Sequence, residues 1–274
     1  MIDLHAHILP GLDDGAPTME MSIEMARMAV ADGTNIMACT PHITPSVYEN
    51  STTSIIRSTL ALQTELDRLD IPLHLTSGAD YHISDTMLAR LRDESAPTIG
   101  ATDYFLFEPS HHVMPPRLVE FARLLKNAGY MPILTHPERL SWIENRYDVI
   151  CQLHDAGMPM QITAGSITGQ FGKRAQYWAE KMLEEDRIDL LASDTHNVST
   201  RPPGLSRAAE CVTKRSSHEK AMQLVVTNPV KILRNEPLIE FETNGQSASS
   251  RDDNFEEHSR FVSKSTDQLN ISVN

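Results

Sequence analysis

The sequence predicts a single-domain α/β fold, a distorted (β/α)7 barrel. Two observations lead to this prediction. About seven short apolar segments alternate with segments of helical periodicity, which is typical of parallel β/α architecture. Almost every apolar segment ends in a histidine or a carboxylate, and the carboxyl ends of barrel strands converge on one face. A barrel is therefore favoured over an open sheet, and seven strands make it irregular.

In the first half of the chain, apolar runs predict four strands. Thr18 can cap the helix after the first of them, with Met21 and Met25 on its apolar side. The segment Gly78-Ala79-Asp80 is predicted to close the third strand. The predicted strands are residues 1–9, 35–40, 73–77 and 104–108, and the later helices are residues 55–69 and 87–91.

The second half shows the same alternation of apolar runs and helical spacing. Its predicted strands are residues 131–135, 159–163 and 188–192. Its predicted helices are residues 118–128, 147–156, 175–184, 204–215 and 219–226. Asn228-Pro229 is predicted to open a last turn.

The length and composition set the domain organisation. The chain of 274 residues is 40% hydrophobic, which is enough for one large core. From about Thr243 onward the residues are small and polar, and little after them could build a core. We therefore predict a barrel domain over residues 1–242 and a flexible C-terminal tail over residues 243–274.

Charge, hydropathy and cysteine content exclude several classes of protein. The net charge of −13 disfavours a nucleic-acid binder that relies on phosphate contacts. The sequence predicts no membrane span and no signal peptide, and hence a cytoplasmic protein. Cys39, Cys151 and Cys211 are widely spaced and form no C-x-x-C pair, which argues against a disulfide framework or a cysteine-zinc module.

Histidines and carboxylates at the strand ends indicate a metal site. His5 and His7 stand at i and i+2 of the first strand and so share a face. Asp194 and His196 repeat that spacing after the last strand. Mixed nitrogen and oxygen ligands suit zinc, manganese or iron, and so many ligands are enough for more than one ion. The predicted metal ligands are His5, His7, Asp14, His42, Asp80, Glu108, His136, Asp194 and His196.

Two arginines follow these ligands along the chain. Arg139 lies three residues after His136, and Arg201 follows the last pair of ligands. A guanidinium beside metal ions suits phosphate, because it binds two oxygens in a fixed plane. The alternative is an ion pair, for example of Arg139 with Glu138 or Asp194. Two arginines in such positions favour an anionic substrate.

The sequence contains a series of short motifs between Met1 and about Leu233. They are MIDLHAH at 1–7, PGLDDG at 10–15, TPH at 40–42, PILTHPER at 132–139, AGS at 164–166, GQFGK at 169–173, SDTHN at 193–197 and RPP at 201–203. Together these motifs resemble a known superfamily, that of the polymerase and histidinol phosphatase (PHP) proteins. More narrowly, they resemble its bacterial manganese-dependent protein tyrosine phosphatases of capsular and exopolysaccharide operons.

The resemblance implies a TIM-like barrel of the PHP type that holds two to three divalent ions, manganese first, with zinc or iron as alternatives. It assigns three sets of ligands: His5, His7, Asp80 and Asp194 for the first ion; Asp80, Glu108 and His136 for the second; and Asp14, His42 and His196 for the third. Arg139, Arg201 and His42 are the residues predicted to take part in catalysis. Two positions depart from the family pattern. Asp80 replaces the usual bridging glutamate and is one methylene shorter, and Ile43 replaces a second histidine.

The chemistry expected of such a centre is hydrolysis of a phosphate ester by water. A metal-activated hydroxide attacks phosphorus in line, while metals and arginines hold the phosphoryl oxygens. The thiol mechanism of other tyrosine phosphatases is excluded, because that mechanism requires a C-x5-R loop. The three cysteines are followed six positions on by Pro45, Gly157 and Ser217.

Three functions are open from the sequence. The first is a phosphotyrosine-protein phosphatase, whose substrate would be a tyrosine kinase or a sugar transferase of polysaccharide export. The second is a small-molecule phosphatase of the histidinol-phosphate type or a nuclease-like phosphodiesterase, and the acidic charge disfavours the nuclease. The third is a non-catalytic, metal-stabilised module, which the complete ligand set disfavours. Homo-oligomers occur among relatives, but the sequence specifies no symmetry.

Overall fold

Parallel strands and intervening helices build the chain from its first residue. A computed structural model describes residues 1–238. The predicted domain boundary at residue 242 and the predicted tail over residues 243–274 lie outside the described residues. All pairings between the strands named below are parallel, so the predicted α/β class is confirmed.

The described residues contain nine strand segments. Their bounds are β1 (Ile2–Ala6), β2 (Ile36–Cys39), β3 (His42–Ile43), β4 (His74–Ser77), β5 (Asp80–His82), β6 (Tyr104–Glu108), β7 (Met131–Thr135), β8 (Met160–Thr163) and β9 (Leu190–Ala192).

Two of the seven predicted strands, residues 35–40 and 73–77, are each followed by a further short segment, β3 and β5, which explains the larger number of segments. Pro41 separates β2 from β3, since proline has no N–H to donate to a ladder. Gly78 separates β4 from β5, and a Cβ there would lie 3.2 Å from Thr40 Cγ2, so the two interruptions pack against each other. Gly78 and Ala79 close β4 as predicted, but the assignment of Asp80 to the same closing segment is wrong, because Asp80 begins β5.

The strand order brings the first and last described strands together. The hydrogen-bonded orders are β1-β2-β4 and β3-β5-β6-β7-β8-β9. Beyond β9 the chain returns to β1: the Asp194 N–H donates to the His5 carbonyl and the His7 N–H donates to the Thr195 carbonyl, both at 2.9 Å. The carboxyl ends of β1 and β9 are therefore neighbours, although nearly 190 residues separate them in the chain.

The helices cover the strands and follow the predicted order. Their bounds are α1 (Met19–Ala31), α2 (Thr52–Arg68), α3 (Met87–Arg92), α4 (Leu118–Asn127), α5 (Ile143–Asp155), α6 (Ala164–Ile167), α7 (Gly172–Glu184), α8 (Ser206–Arg215), α9 (His218–Met222) and α10 (Asn228–Leu233). Short 3-10 turns lie at Ile99–Ala101 and Pro137–Arg139, and Gln223–Thr227 is π-helical.

Local signals place some helix ends correctly and one incorrectly. Thr18 caps α1 as predicted, since its side chain accepts a hydrogen bond from the Met21 N–H. The turn predicted at Asn228-Pro229 is wrong, because these residues begin α10. Proline is tolerated in a first helical turn, where its missing N–H has no partner to lose. The Asn228 side chain also ties this helix to the sheet, through a 2.8 Å hydrogen bond to the Asp189 carbonyl.

The core lies between the strands and the helices that cover them. Every residue of β1 and of β6 is buried, as expected of parallel strands covered on both faces. Met25 and Ala29 of α1 are fully buried and belong to the same apolar cluster as Phe105 and Phe107 of β6. None of the described helices is both long and apolar enough to cross a membrane. This core holds the strand ends, and the side chains they carry, in fixed positions.

Candidate metal centre

His5 and His7 project from the end of β1 into the interior. Both side chains are fully buried, and their Nε2 atoms lie 3.1 Å apart. They share a face because alternate residues of a strand do so. Nitrogens bound to one ion at about 2.0–2.1 Å are separated by about 2.9–3.4 Å in octahedral to tetrahedral geometry, so the observed spacing fits two ligands of a single ion.

The other ring nitrogen of each histidine is held by an oxygen. His5 Nδ1 lies 2.9 Å from Gln161 Oε1, and His7 Nδ1 lies 2.6 Å from Asp13 Oδ2. Amide and carboxylate oxygens accept hydrogen bonds, so both Nδ1 atoms carry the proton. When both Nε2 atoms are unprotonated, their lone pairs face each other, and a cation bound between them satisfies both. Such oxygen partners commonly orient histidine ligands of metals.

Asp13 reaches His7 because the loop after β1 closes over that residue. A Cβ at Gly15 would lie 2.0 Å from the His7 carbonyl oxygen, so only glycine fits there. Asp13 also accepts hydrogen bonds from the backbone N–H of Gly15 at 2.9 Å and of His42 at 2.9 Å. These bonds and the contact with His7 outweigh burial and lower the pKa of Asp13, which keeps it a carboxylate.

Two buried carboxylates face this histidine pair. Asp194 Oδ1 lies 3.4 Å from Nε2 of both His5 and His7. Asp80 Oδ2 lies 3.5 Å from His5 Nε2 and 3.3 Å from His42 Nδ1. Within residues 1–238, neither carboxylate oxygen of Asp80 has a hydrogen-bond partner. A fully buried carboxylate without a hydrogen bond is costly unless a cation neutralises it, and a metal ion held jointly with these histidines would do so.

Glu108 and His136 extend the centre across β6 and β7. Glu108 Oε1 lies 3.5 Å from His136 Nε2, and Glu108 Oε2 lies 3.5 Å from His42 Nδ1. The backbone of His136 is left-handed, with φ of 34°, and that of Asp194 is too, with φ of 52°. Non-glycine residues in this region are strained, and such strain concentrates at functional sites.

Asp14, His42 and His196 form the outer part of the centre, together with His7. One ligand atom from each of these four residues lies within 4.8 Å of the others. Asp14 Oδ1 is 3.6 Å from His42 Nε2 and 3.5 Å from His196 Nε2. The Asp14 side chain is 51% exposed, so this group faces solvent.

All nine predicted ligands thus converge, but their grouping differs in part from the set implied by the resemblance. Among the described residues Asp80 does not group with His136. The groups whose ligand atoms lie within 4.8 Å are His7-Asp14-His42-His196, His5-His7-Asp80, His5-His136-Asp194, Glu108-His111-His136 and His42-Asp80-Glu108. The donor set of imidazoles and carboxylates fits divalent ions of intermediate softness, such as manganese, zinc or iron.

Arg139 and Arg201 both contact the centre through Asp194. Each donates a hydrogen bond to Asp194 Oδ2, that of Arg201 at 2.5 Å. Both guanidinium groups also lie over the Phe171 ring, at 4.6 Å for Arg139 and 5.9 Å for Arg201. Of the two ion pairs considered for Arg139, the structure has the one with Asp194. Glu138 instead accepts hydrogen bonds from Ser166 Oγ at 2.7 Å and the Thr163 N–H at 3.1 Å.

Sequence reasoning did not single out several residues of the centre. Asp13 and Gln161 orient the histidine pair, and His82 and His111 contact Glu108 at 3.5 and 3.4 Å. Two signals were available. Asp13 is adjacent to the predicted ligand Asp14, and Gln161 is a polar residue inside an otherwise apolar predicted strand. Comparable signals exist for the other two: His82 stands two residues after Asp80, the spacing of Asp194 and His196, and His111 stands three residues after Glu108.

The cysteines are separate from this centre. In the part of the chain that the structure describes, none of the three belongs to a group of metal-ligating side chains. Cys39 is fully buried in β2, and burial raises the pKa of its thiol to about 12. A thiol with that pKa is not a nucleophile at neutral pH.

Two cavities flank the centre. The larger has a volume of about 710 Å³ and is lined by His82, Ser110 and Phe121 among others. The smaller has a volume of about 220 Å³ and is lined by Arg201 and Phe171 among others. The larger cavity thus adjoins the centre through His82, which contacts Glu108, and the smaller adjoins it through Arg201, which contacts Asp194.

Comparisons with known proteins agree with this geometry. The model of a capsular polysaccharide synthesis family, CpsB/CapC, matches residues 1–234. The tyrosine-protein phosphatase YwqE of Bacillus subtilis is 35% identical over 240 residues, which are 87% of this chain and 93% of that protein. The tyrosine-protein phosphatase CpsB of Streptococcus agalactiae is 29% identical over 247 residues, 86% of this chain and 99% of that protein.

A solved structure is similar over the same region. It comes from a crystallographic study of YwqE from Bacillus subtilis and CpsB from Streptococcus pneumoniae, described as unique metal-dependent tyrosine phosphatases. It superposes with a TM-score of 0.82 at 33% identity and covers 86% of this chain and 95% of that chain. These matches confirm the resemblance predicted from the motifs.

Proposed function

The chain belongs to the CpsB/CapC family of capsular polysaccharide synthesis, and from this premise we propose that it is a metal-dependent phosphatase acting on phosphotyrosine in proteins. The observation that carries the proposal is the convergence of imidazoles and carboxylates with two arginines on one carboxylate, Asp194. A phosphate monoester needs both elements: cations for its charge and donors for its oxygens.

We propose that two to three divalent ions occupy the centre, with manganese as the working ion. His5, His7, Asp80 and Asp194 would hold the first, Glu108 and His136 the second, and Asp14, His42 and His196 the third. Divalent ions bound there supply an activated water and neutralise charge on the phosphoryl group. The unpartnered buried oxygens of Asp80 and the facing lone pairs of His5 and His7 support this assignment.

The arginines would bind the phosphoryl oxygens. Arg139 and Arg201 are 17% and 23% exposed at the side chain, so each remains partly accessible while it contacts Asp194. Phe171 packs against both guanidinium groups and limits their orientations. A fixed guanidinium fork is suited to two oxygens of one phosphate.

His42 would serve both metal binding and catalysis. Its two ring nitrogens face different carboxylates, Nδ1 toward Asp80 at 3.3 Å and Nε2 toward Asp14 at 3.6 Å. Its ring also stacks on Tyr48 at 5.9 Å, and both lie on the solvent side of the centre. His42 therefore lies between the outer ligand group, which contains Asp14, and the buried group, which contains Asp80. In this proposal the phosphoryl group binds between the same two groups.

The leaving group favours tyrosine esters. Phenolate has a pKa of about 10, well below that of an alkoxide, so its departure needs little help from a general acid. The Cys39 thiol is buried and stays protonated, so Cys39 does not provide a nucleophile. Water activated within the centre is the nucleophile in this proposal.

We further propose a physiological substrate and a location. The family's role in capsular polysaccharide synthesis supports a tyrosine kinase or a sugar transferase of that process as the phosphoprotein. The cavity of about 710 Å³ lined in part by His82, which contacts Glu108, would offer room for side chains that flank the phosphotyrosine. Such a substrate would be met in the cytoplasm, where we place the protein.

A panel of substrates tests the proposal. The metal-stripped full-length chain is assayed with a phosphotyrosine peptide, the matched phosphoserine peptide and histidinol phosphate, with added manganese or with EDTA. We expect the phosphotyrosine peptide to be hydrolysed faster than the other two substrates, with manganese and not with EDTA. Preference for histidinol phosphate would favour the small-molecule phosphatase, and hydrolysis of none by metal-loaded protein would favour the non-catalytic module.

A further inference from the structure

His111 is a histidine beside the centre that the predicted ligand set does not include. Its Nε2 lies 3.4 Å from Glu108 Oε1, the same oxygen that lies 3.5 Å from His136 Nε2. One ligand atom from each of Glu108, His111 and His136 lies within 4.8 Å of the other two. Three donors that converge in this way can hold one ion.

The position of His111 is held by its surroundings. The His111 carbonyl accepts hydrogen bonds from both the N–H and the Oγ of Ser141, each at 2.9 Å. The carbonyl of the preceding Ser110 accepts one from Trp142 Nε1 at 3.0 Å. Ser141 and Trp142 follow the Pro137–Arg139 turn, so the segments after β6 and after β7 are tied together. The imidazoles of His111 and His136 consequently lie with their centroids 4.9 Å apart.

Asp80 is grouped differently. Its carboxylate joins His5 and His7 in one group and His42 and Glu108 in another, and within residues 1–238 no group contains both Asp80 and His136. An aspartate is one methylene shorter than a glutamate, so its oxygens stay nearer to β5. A coordination position toward His136 is therefore left for another side chain, and His111 lies beside it.

We propose that His111 is a ligand of the ion held by Glu108 and His136, and that it occupies the position that Asp80 does not reach. Glu108 then lies between two groups, with Oε1 toward His111 and His136 and Oε2 toward His42. The exchange replaces a carboxylate with a neutral imidazole, which shifts the preference of that ion site toward zinc-like ions. The inference rests on the proposed metal centre, and it does not depend on phosphatase activity.

Metal binding by variants of the full-length chain tests the inference. The metal-stripped protein is titrated with manganese and, separately, with zinc in a calorimeter, and bound metal is counted by mass spectrometry. We expect His111→Ala to weaken one ion at least about tenfold and to leave the others unchanged, since loss of a ligand outweighs the loss of an outer-shell partner. His112→Ala is the matched control, because His112 is exposed and adjacent, and it should bind metal as the parent does.

Two further measurements separate a ligand from a structural residue. X-ray absorption of the zinc-loaded protein should report fewer imidazoles per zinc in His111→Ala than in His112→Ala. Adding Asp80→Glu to His111→Ala should restore the lost affinity, because the longer carboxylate reaches the vacated position. Circular dichroism checks that each variant is folded.

The inference is overturned by unchanged affinity and stoichiometry in folded His111→Ala, and equally by uniform weakening of every ion. Its failure is distinguishable from failure of the proposed function. Metal binding that depends on His111 in a protein inactive toward phosphotyrosine would uphold the ligand and reject the phosphatase. A protein that hydrolyses phosphotyrosine but binds metal independently of His111 would uphold the phosphatase and reject His111 as a ligand.

Discussion

Arg201 donates a 2.5 Å hydrogen bond to Asp194 Oδ2, while Asp194 Oδ1 lies 3.4 Å from Nε2 of both His5 and His7. One carboxylate thus connects an arginine that faces the smaller cavity with the histidines that face the metal position. Its pKa is held well below the ordinary value, because His5, Arg201 and Arg139 outweigh the opposing effect of burial. Substituting an arginine bound to Asp194 and substituting a residue on its histidine side should therefore have effects that experiments can distinguish.

Arg201→Ala should lower kcat/KM for a phosphotyrosine peptide by about 10- to 100-fold, the range for loss of one hydrogen bond to a charged group. Metal content should stay that of the parent, because Arg139 still neutralises Asp194. Steady-state kinetics and metal analysis on the same preparation check this. Arg57→Ala, an exposed arginine on α2, is the control. Loss of metal from Arg201→Ala would show that the arginine is structural.

Asp13→Asn should weaken metal binding by about 10- to 100-fold, as is usual for the partner that orients a histidine ligand. The amide can present an N–H to His7 Nδ1, which would reverse the proton's position and turn Nε2 into a donor. Calorimetric titration with manganese measures the effect. Glu24→Gln, an exposed carboxylate on α1, should behave as the parent. An unchanged dissociation constant in Asp13→Asn would contradict the role assigned to the 2.6 Å contact.

Metal removal should make the stability of the protein depend on pH. Burial lowers the pKa of His5, but Asp194 and Asp80 outweigh it and raise the pKa to about 9. Asp80 likewise outweighs burial at His42 and raises that pKa to about 10. A histidine with a raised pKa contributes its full stability below its unfolded pKa, about 6.5, and loses that contribution as pH rises through the folded pKa.

The EDTA-treated protein should therefore unfold at a falling temperature as pH rises from about 6.5 to about 9. Manganese at about 100 times its Kd should add about 2.7 kcal/mol per site, so the loaded protein stays more stable. Differential scanning calorimetry across this range measures both curves. His5→Gln should flatten the metal-free curve, and parallel curves for the metal-free and loaded protein would count against the prediction.

Replacing the three cysteines should leave the phosphatase activity intact. Cys39 is buried with its thiol pKa raised to about 12, and the described structure places none of the three in a metal-ligating group. Cys151→Ser and Cys211→Ser should retain activity, and Cys39→Ala should retain it with somewhat lower stability because a buried side chain is lost. Assays before and after iodoacetamide treatment of the parent provide a second measurement. Inactivation by iodoacetamide would contradict the prediction and support a thiol mechanism.

Local signals in the sequence were sufficient for much of the fold. Tyr104–Glu108 and Met131–Thr135 were predicted with their observed bounds, because an apolar run between turn signals identifies a buried strand. The interruptions at Pro41 and Gly78 were not, since each depends on how two neighbouring strands pack. The role of Asp80 as the start of β5 was missed for the same reason.

By itself, the sequence determined the alternation of strands and helices, nine of the converging side chains and the shared face of His5 and His7. These follow from periodicity, which relates residues only a few positions apart. Only the tertiary structure decided that Arg139 and Arg201 meet at Asp194, that Gln161 and Asp13 orient the histidines, and that His111 stands beside His136. Such pairs come from different strands and loops, and their distances depend on the packing of the whole barrel, as in the 3.1 Å bond from the Ser193 N–H to Asp3 across 190 residues.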